Sequence, residues 1–233
     1  GYRLIAEVSF ELPPPGSPLP FEATPEHDAA ERSPYPGLAP FTEDDAADFF
    51  GRDAEISLLW RKITSRRLLA VIGASGTGKS SLLRAGVVVR APPGWRAVVC
   101  QPGGDPFLAV ARVMASDLTD DPEEIRRLLV VDQFEELYTL NPEPARERFV
   151  ELLRRLVDAA GIHVVLALRD DFLLSCHRHR QLAPIFSDLT PIGPPVGHEL
   201  RRALVEPAAR RLVGFESELM VDEMVGQVER ERG

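Results

Sequence analysis

The octapeptide Gly73-Ala74-Ser75-Gly76-Thr77-Gly78-Lys79-Ser80 fits the pattern G-x-x-x-x-G-K-[ST] and runs on into Ser81-Leu82-Leu83-Arg84. Glycines at this spacing let a backbone turn and approach a polyphosphate closely, so that amide hydrogens face the phosphates beside a helix N-terminus. Lys79 is then expected to reach the β and γ phosphates as a point charge, and Ser80 to ligate magnesium. A chance glycine-rich turn is the plain alternative, but this one sits between an apolar strand-like run and a helix-like one, as the chemistry requires.

A metal held by a loop serine needs an acid on the opposite side. Leu128-Leu129-Val130-Val131-Asp132 ends an apolar run in a carboxylate, so Asp132 is the expected outer magnesium contact, from a neighbouring strand. Glu135 and Glu136 follow within reach of a water opposite the γ-phosphate. One of them is the expected base; the competing reading has both opening a solvated helix. Arg169 closes the run Val164 to Leu168, where a guanidinium can tell triphosphate from diphosphate, or else pair at the surface with Asp170 or Asp171. His177 and His179 alternate around Arg178 but have no third ligand beside them, so they do not read as a metal site.

The elements that must position these residues show in the apolar pattern. Strand-like runs at Leu68–Ile72, Ala97–Cys100, Leu128–Val131 and Ile162–Leu168 are apolar on consecutive positions, which suits strands covered on both faces. Between the third and fourth, Phe149, Leu152, Leu153, Leu156 and Val157 form a helical stripe, with Asn141 and Pro142 as cap and first turn and Gly161 as stop. This βαβ rhythm implies an α/β fold with a parallel sheet. Past Pro195 the chain turns helical and charged. Pro207 falls inside that pattern, which predicts two helices meeting near it, and a further helix spans Ser217 to Arg230.

Prolines crowd the stretch from Pro13 to Pro40, which reads as a stiff linker, while Gly1 to Leu12 reads as one short strand or half a hairpin. The 233 residues, 44% hydrophobic, suffice for one sizeable core or a core with a small appendage. No apolar run approaches the ~18 residues of a membrane span, and no export signal is recognisable, so a cytoplasmic chain without membrane contact is expected. The net charge of −9 argues against a surface devoted to gripping nucleic acid. Cys100 and Cys176 belong to no metal-ligand spacing and read as free buried thiols.

Several of these marks together resemble the STAND class, signal transduction ATPases with numerous domains, and within it the bacterial branch often joined to β-propeller or helical repeats. They are Pro34-Tyr35-Pro36-Gly37-Leu38 with Phe41, Phe49-Phe50-Gly51-Arg52 with Glu55, the phosphate loop, Leu129 through Leu137, and Leu168-Arg169. The resemblance implies a P-loop NTPase with a three-layer parallel sheet over residues 34–195 and the start of a helical lid over 196–233. Similar proteins carry a Gly-x-Pro element in that lid, so the lid is expected to be incomplete at Gly233. It further implies that Phe50, Gly51 and Arg52 lie over the adenine, that the loop through Ser81 binds the nucleotide, and that Arg169 is the first sensor. Gln133 stands where many P-loop ATPases place a glutamate, which implies slow turnover. Residues 1–12 resemble the end of a response-regulator-type winged helix, which would bring DNA as a partner through a domain outside this chain, with residues 13–33 as linker.

The expected function is an ATP-binding, slowly hydrolysing regulatory switch that uses ATP/ADP and Mg2+, self-associates on activation, and controls assembly or transcription. A constitutive AAA+-like remodelling ATPase and an ADP-locked scaffold without turnover are the alternatives.

Overall fold

A computed structural model describes residues 33–116, 125–158 and 162–230. The chain divides into Gly1–Ser33 and Pro34–Gly233, and every described element belongs to the second unit. The expected N-terminal strand, most of the proline-rich linker and the helix stop at Gly161 lie outside the described residues.

The uninterrupted apolar runs divide their side chains between two cores. On one face Leu68, Ala70, Leu129, Val131, Val164, Leu166 and Leu168 meet Phe149 and Leu153. On the other, Leu69, Val71, Leu128, Val130, Val165 and Ala167 meet Leu59, Ile63, Leu82 and Leu83. Alternation of side chains along a strand produces this split, so each run must be apolar throughout. The result is a five-stranded, all-parallel sheet in the order β2-β3-β4-β1-β5, flanked by helices on both faces. The strands are β1 (Leu68–Gly73), β2 (Trp95–Cys100), β3 (Arg126–Val131), β4 (Ile162–Arg169) and β5 (Leu189–Pro191).

The helices are α1 (Asp53–Ser65), α2 (Lys79–Ser81), which continues as π-helix over Leu82–Val88, α3 (Pro106–Ser116), α4 (Glu136–Leu140), α5 (Glu143–Asp158), α6 (Leu173–His177), α7 (Gly197–Arg210) and α8 (Glu218–Arg230). A 3-10 segment over Glu43–Asp48 precedes α1, and another over Arg180–Ser187 precedes β5.

Four details differ from the sequence reading. The strand β5 is too short and too polar to register as a run, and it is held by register with β1 and by Ile192 N–H donating to Ile72 O at 2.7 Å. The edge strand β2 is only half-buried along most of its length, not covered on both faces. A single helix, α7, spans Pro207. The proline has no N–H to give the Ala203 carbonyl four residues back, and the neighbouring Leu204 carbonyl accepts from the Tyr35 hydroxyl. Asn141 lies one residue outside the cap: α5 begins at Glu143 and Pro142 O accepts from Ala145 and Arg146 N–H, while the Asn141 side-chain amide donates to Gly103 O at 2.8 Å and Glu136 O at 3.4 Å.

Cys100 and Cys176 are free and buried, as expected, and burial pushes the Cys100 thiol up to about 12 and the Cys176 thiol to about 11. No helix among the described residues is long and apolar enough to cross a membrane.

Candidate functional site

At the C-terminal edge of β1 the chain bends through Gly73–Ser80 into α2. Gly76 (φ +79°) and Gly78 (φ +84°) adopt left-handed conformations that other residues resist. Gly73 is needed for a different reason: a Cβ there would lie 2.3 Å from the Ile192 carbonyl oxygen, so the loop begins pressed against the chain leaving β5. Thr77 Oγ1 closes the bend by donating to Ala74 O at 3.0 Å. The buried Arg52 braces it from behind, donating from Nη2 to Thr77 O at 2.8 Å and pairing through Nη1 with Glu55 at 2.7 Å. Lys79 Nζ donates to the Gly73 and Ala74 carbonyls, both at 2.8 Å. Burial holds the Lys79 pKa below the ordinary lysine range, against the pull of Glu135, Asp170 and Asp132.

Asp132 stands across the cleft, 1% exposed. Its Oδ1 accepts from Ser80 Oγ at 2.9 Å and from Gln133 N–H at 3.0 Å, and its Oδ2 from Arg84 Nε at 3.1 Å. The strand that carries it is not next to the strand of the phosphate loop, because β4 lies between them. The carboxylate reaches Ser80 past the end of β4, where the small Ala167 lines the cleft, and Phe134 N–H crosses to Ala167 O at 2.7 Å. Gln133, in the left-handed region at φ +51°, makes that crossing turn.

The two glutamates part. Glu135 lines the cleft, and its Oε2 accepts from Arg169 N–H at 3.3 Å. Glu136 instead accepts from Gly103 N–H at 3.0 Å, in the loop after β2. Arg169 ends β4 in register with Gly73 and also lines the cleft. Its guanidinium is held by Asp171, with Nε–Oδ1 at 3.1 Å and Nη2–Oδ2 at 2.6 Å, and those hydrogen bonds raise its pKa. The surface pairing weighed for Arg169 is thus the one present, and it coexists with a place on the cleft wall.

The cleft has a volume of about 450 Å³, and the segment Gly37–Phe41 forms its outer wall. Ser81 anchors that wall, its Oγ accepting from Phe41 N–H at 3.1 Å. Beside the loop lies a smaller, mostly apolar cavity of about 160 Å³, bounded by Phe41, Phe49, Phe50, Arg52, Pro195 and Ala203 together with Gly76, Thr77, Gly78 and Ser81 of the loop region. Gly51 (φ +77°) does not line it. A Cβ there would lie 2.2 Å from the Glu199 carbonyl oxygen, so this glycine lets α7 pack directly on the loop. Further links tie α7 and the residue after it to the same place: Arg202 to Asp53 at 2.6 Å, and Arg211 to the buried Asp48 at 2.5 Å. A larger concavity of about 810 Å³ lies elsewhere, between α5 and residues 178–181, and contains none of the phosphate-loop residues. The candidate site is the cleft of about 450 Å³ that the phosphate loop lines.

Ser80 and Asp132 offer hard oxygen donors 2.9 Å apart at the loop mouth, a set that suits magnesium completed by phosphates and water. No group of three or more metal-ligating His, Cys, Asp or Glu occurs among the described residues. Such an all-protein cage is not how magnesium is usually held at phosphates. Sequence reasoning missed Arg84, although its place four residues after Ser80 puts both on one helix face. It also gave no role to Asp48, Asp53 or Pro195, whose partners are distant in sequence and leave no local signal.

Among solved structures, the Walker-type ATPase PABY2304 of Pyrococcus abyssi is similar at a TM-score of 0.57 and 14% identity, over 82% of this chain and 66% of that one. This chain therefore spans just under two thirds of that protein. Saccharomyces cerevisiae RIF2 matches at a TM-score of 0.41 and 12% identity, over 74% of this chain and 67% of that one. Comparison with curated proteins gave no match. The first likeness carries the fold, a P-loop α/β sheet. The model of the family described as "Novel STAND NTPase 1" matches residues 34–233, which takes in the phosphate loop, Asp132 and the helices packed beside them, and by that match the chain belongs to the novel STAND NTPase 1 family.

Proposed function

We propose that this NTPase is a switch that binds ATP with magnesium, hydrolyses it slowly, and places its C-terminal helices differently in the triphosphate and diphosphate states. The observation that carries this reading is the convergence on one cavity of the phosphate loop, through Gly76 to Gly78, and α7, through Ala203. The adenine is assigned to that cavity, under Phe50 and against Arg52, and the phosphates to the loop from Gly73 to Ser81. Ser80 and Asp132 would hold magnesium, which supplies charge neutralisation on the phosphates. Lys79 leaves the loop carbonyls for the phosphate oxygens. Glu135, on the cleft wall, is the base that orients and deprotonates the attacking water, and Glu136 is a structural acceptor for the loop after β2.

Arg169 is the sensor of the γ-phosphate. Its pairing with Asp171 has to loosen for the guanidinium to turn inward, which fits slow turnover better than a constitutive motor. To move the helices from 1:99 to 99:1, nucleotide must favour one arrangement ~10⁴-fold, about 5.5 kcal/mol. Arg169 and the groups around Ser80 and Asp132 are the source of that difference. Assembly or transcription control is the output assigned, by resemblance, to parts beyond the described residues.

Hydrogen exchange of the full chain with ATP, with ADP and without nucleotide tests the reading. Protection across α7 and α8 is expected to differ between ATP and ADP. Tight binding of both with identical protection would end the switch and leave a nucleotide-locked scaffold.

A further inference from the structure

Asp132 has its charge balanced within the protein. Oδ1 takes hydrogen bonds from Ser80 and Gln133, and Oδ2 is closed by Arg84 Nε at 3.1 Å. A carboxylate buried to 1% exposure needs a counter-charge, and Arg84 supplies it from the same helix face as Ser80. Its side chain keeps 20% exposure, and its Nη1 lies 3.9 Å from Glu43 Oε2, on a carboxylate that is 41% exposed. The guanidinium thus sits between two acids, the buried Asp132 beside Ser80 and the half-exposed Glu43 at the start of the 3-10 segment before α1. Arg84 also lies in the stretch where the helix widens to π geometry directly after Ser81, a distortion found often at functional sites.

We propose that Arg84 is a positioning residue and resident counter-ion that keeps divalent metal out of the nucleotide-free site, and that it moves toward Glu43 when metal arrives with nucleotide. The inference rests on the magnesium-nucleotide reading above. A cation on Oδ2 blocks bidentate chelation by Asp132 and adds like-charge repulsion toward a divalent ion. The phosphates of a nucleotide reverse that balance with their own negative charge. Metal and nucleotide therefore bind as a pair, and the coupling between them is set by one guanidinium.

The test titrates the full chain with Mn2+, as a paramagnetic stand-in for magnesium, without nucleotide and with saturating ADP. In the parent protein Mn2+ is expected to bind weakly alone and tightly with ADP. Arg84→Gln is expected to tighten Mn2+ binding to the nucleotide-free protein at least about tenfold, and adding Asp132→Asn is expected to abolish the gain. Glu43→Gln is expected to weaken Mn2+ binding two- to threefold with ADP present and to leave the nucleotide-free value unchanged. Should Arg84→Gln not fold, Arg84→Lys, which keeps the charge and loses the Nε donor, is expected to give about a threefold gain. An Arg84 variant that folds and gains no Mn2+ affinity, or a gain that survives Asp132→Asn, overturns the proposal. Calorimetry of Mg-ADP on the parent protein separates the two layers: uptake without an Arg84 effect sinks only this inference, whereas no uptake sinks the nucleotide reading with it.

Discussion

On the proposed placement of the nucleotide, the phosphate end and the base end of the site are built in opposite ways. The phosphate end comes from one continuous stretch, Gly73 to Ser81, plus one buried carboxylate, and its geometry follows from local glycine conformations and a strand terminus. The base end is assembled from pairs that join the start of the unit to its C-terminal helices, 149 positions apart for Asp53 and Arg202 and 163 for Asp48 and Arg211. A local device takes most of its shape from its own residues. One assembled from distant ion pairs and close backbone packing holds it only while those helices are docked, so on the proposed reading the base end is where nucleotide occupancy and helix position would become one equilibrium.

The sharpest way to break this comparison is at the phosphate end. Glu135→Gln should lower steady-state nucleotide hydrolysis by about 10²-fold or more, the usual worth of a positioned general base, while Glu136→Gln should stay within about threefold; equal losses would refute the division between them. Lys79→Ala should weaken ADP binding by about 2–3 kcal/mol, the scale of hydrogen bonds to charged groups, read by calorimetry, with little change in α7 protection in nucleotide-free protein. At the base end, Gly51→Ala should cost about 1–3 kcal/mol of unfolding free energy in a denaturant melt and open α7 to hydrogen exchange, since the new methyl meets the Glu199 carbonyl.

Acid should act more gently. Burial pulls the Asp53 carboxyl pKa upward, but hydrogen bonds from Arg90 and Arg202 outweigh it, and the net value lies below the ordinary aspartate range. A depressed carboxylate stabilises the fold above its unfolded pKa, near 4, and that contribution disappears as pH falls through the folded value. Exchange at α7 measured from pH 6 down through pH 3 should therefore rise only below about pH 4, and Asp53→Asn should flatten the rise.

The same contrast explains what could be read from the residues alone. The loop, Asp132 and four strands were legible because each rests on a contiguous pattern: glycine spacing, or an apolar run ended by an acid. Strand order was not, since nothing in the run at β3 says that β4 will lie between it and β1. The three-residue β5 carries no periodicity, and the continuity of α7 through Pro207 involves a tertiary partner, the Tyr35 hydroxyl on the Leu204 carbonyl, that leaves no local pattern. Glu135 and Glu136 were indistinguishable by spacing. Their separation comes from the left-handed turn at Gln133 and from the Gly103 amide, neither of which a one-dimensional reading contains.

The press of Gly73 against Ile192 has a mechanical consequence. From Ile192 the chain reaches α7 through Gly193-Pro194-Pro195-Val196, and consecutive prolines have fixed φ and little slack. On the proposed reading, a displacement at the first glycine of the bend would be relayed, as along a short rod jointed at Gly193, into the opening turn of the helix above. The lever that would report γ-phosphate loss is in this sense hooked to the loop that holds the phosphates.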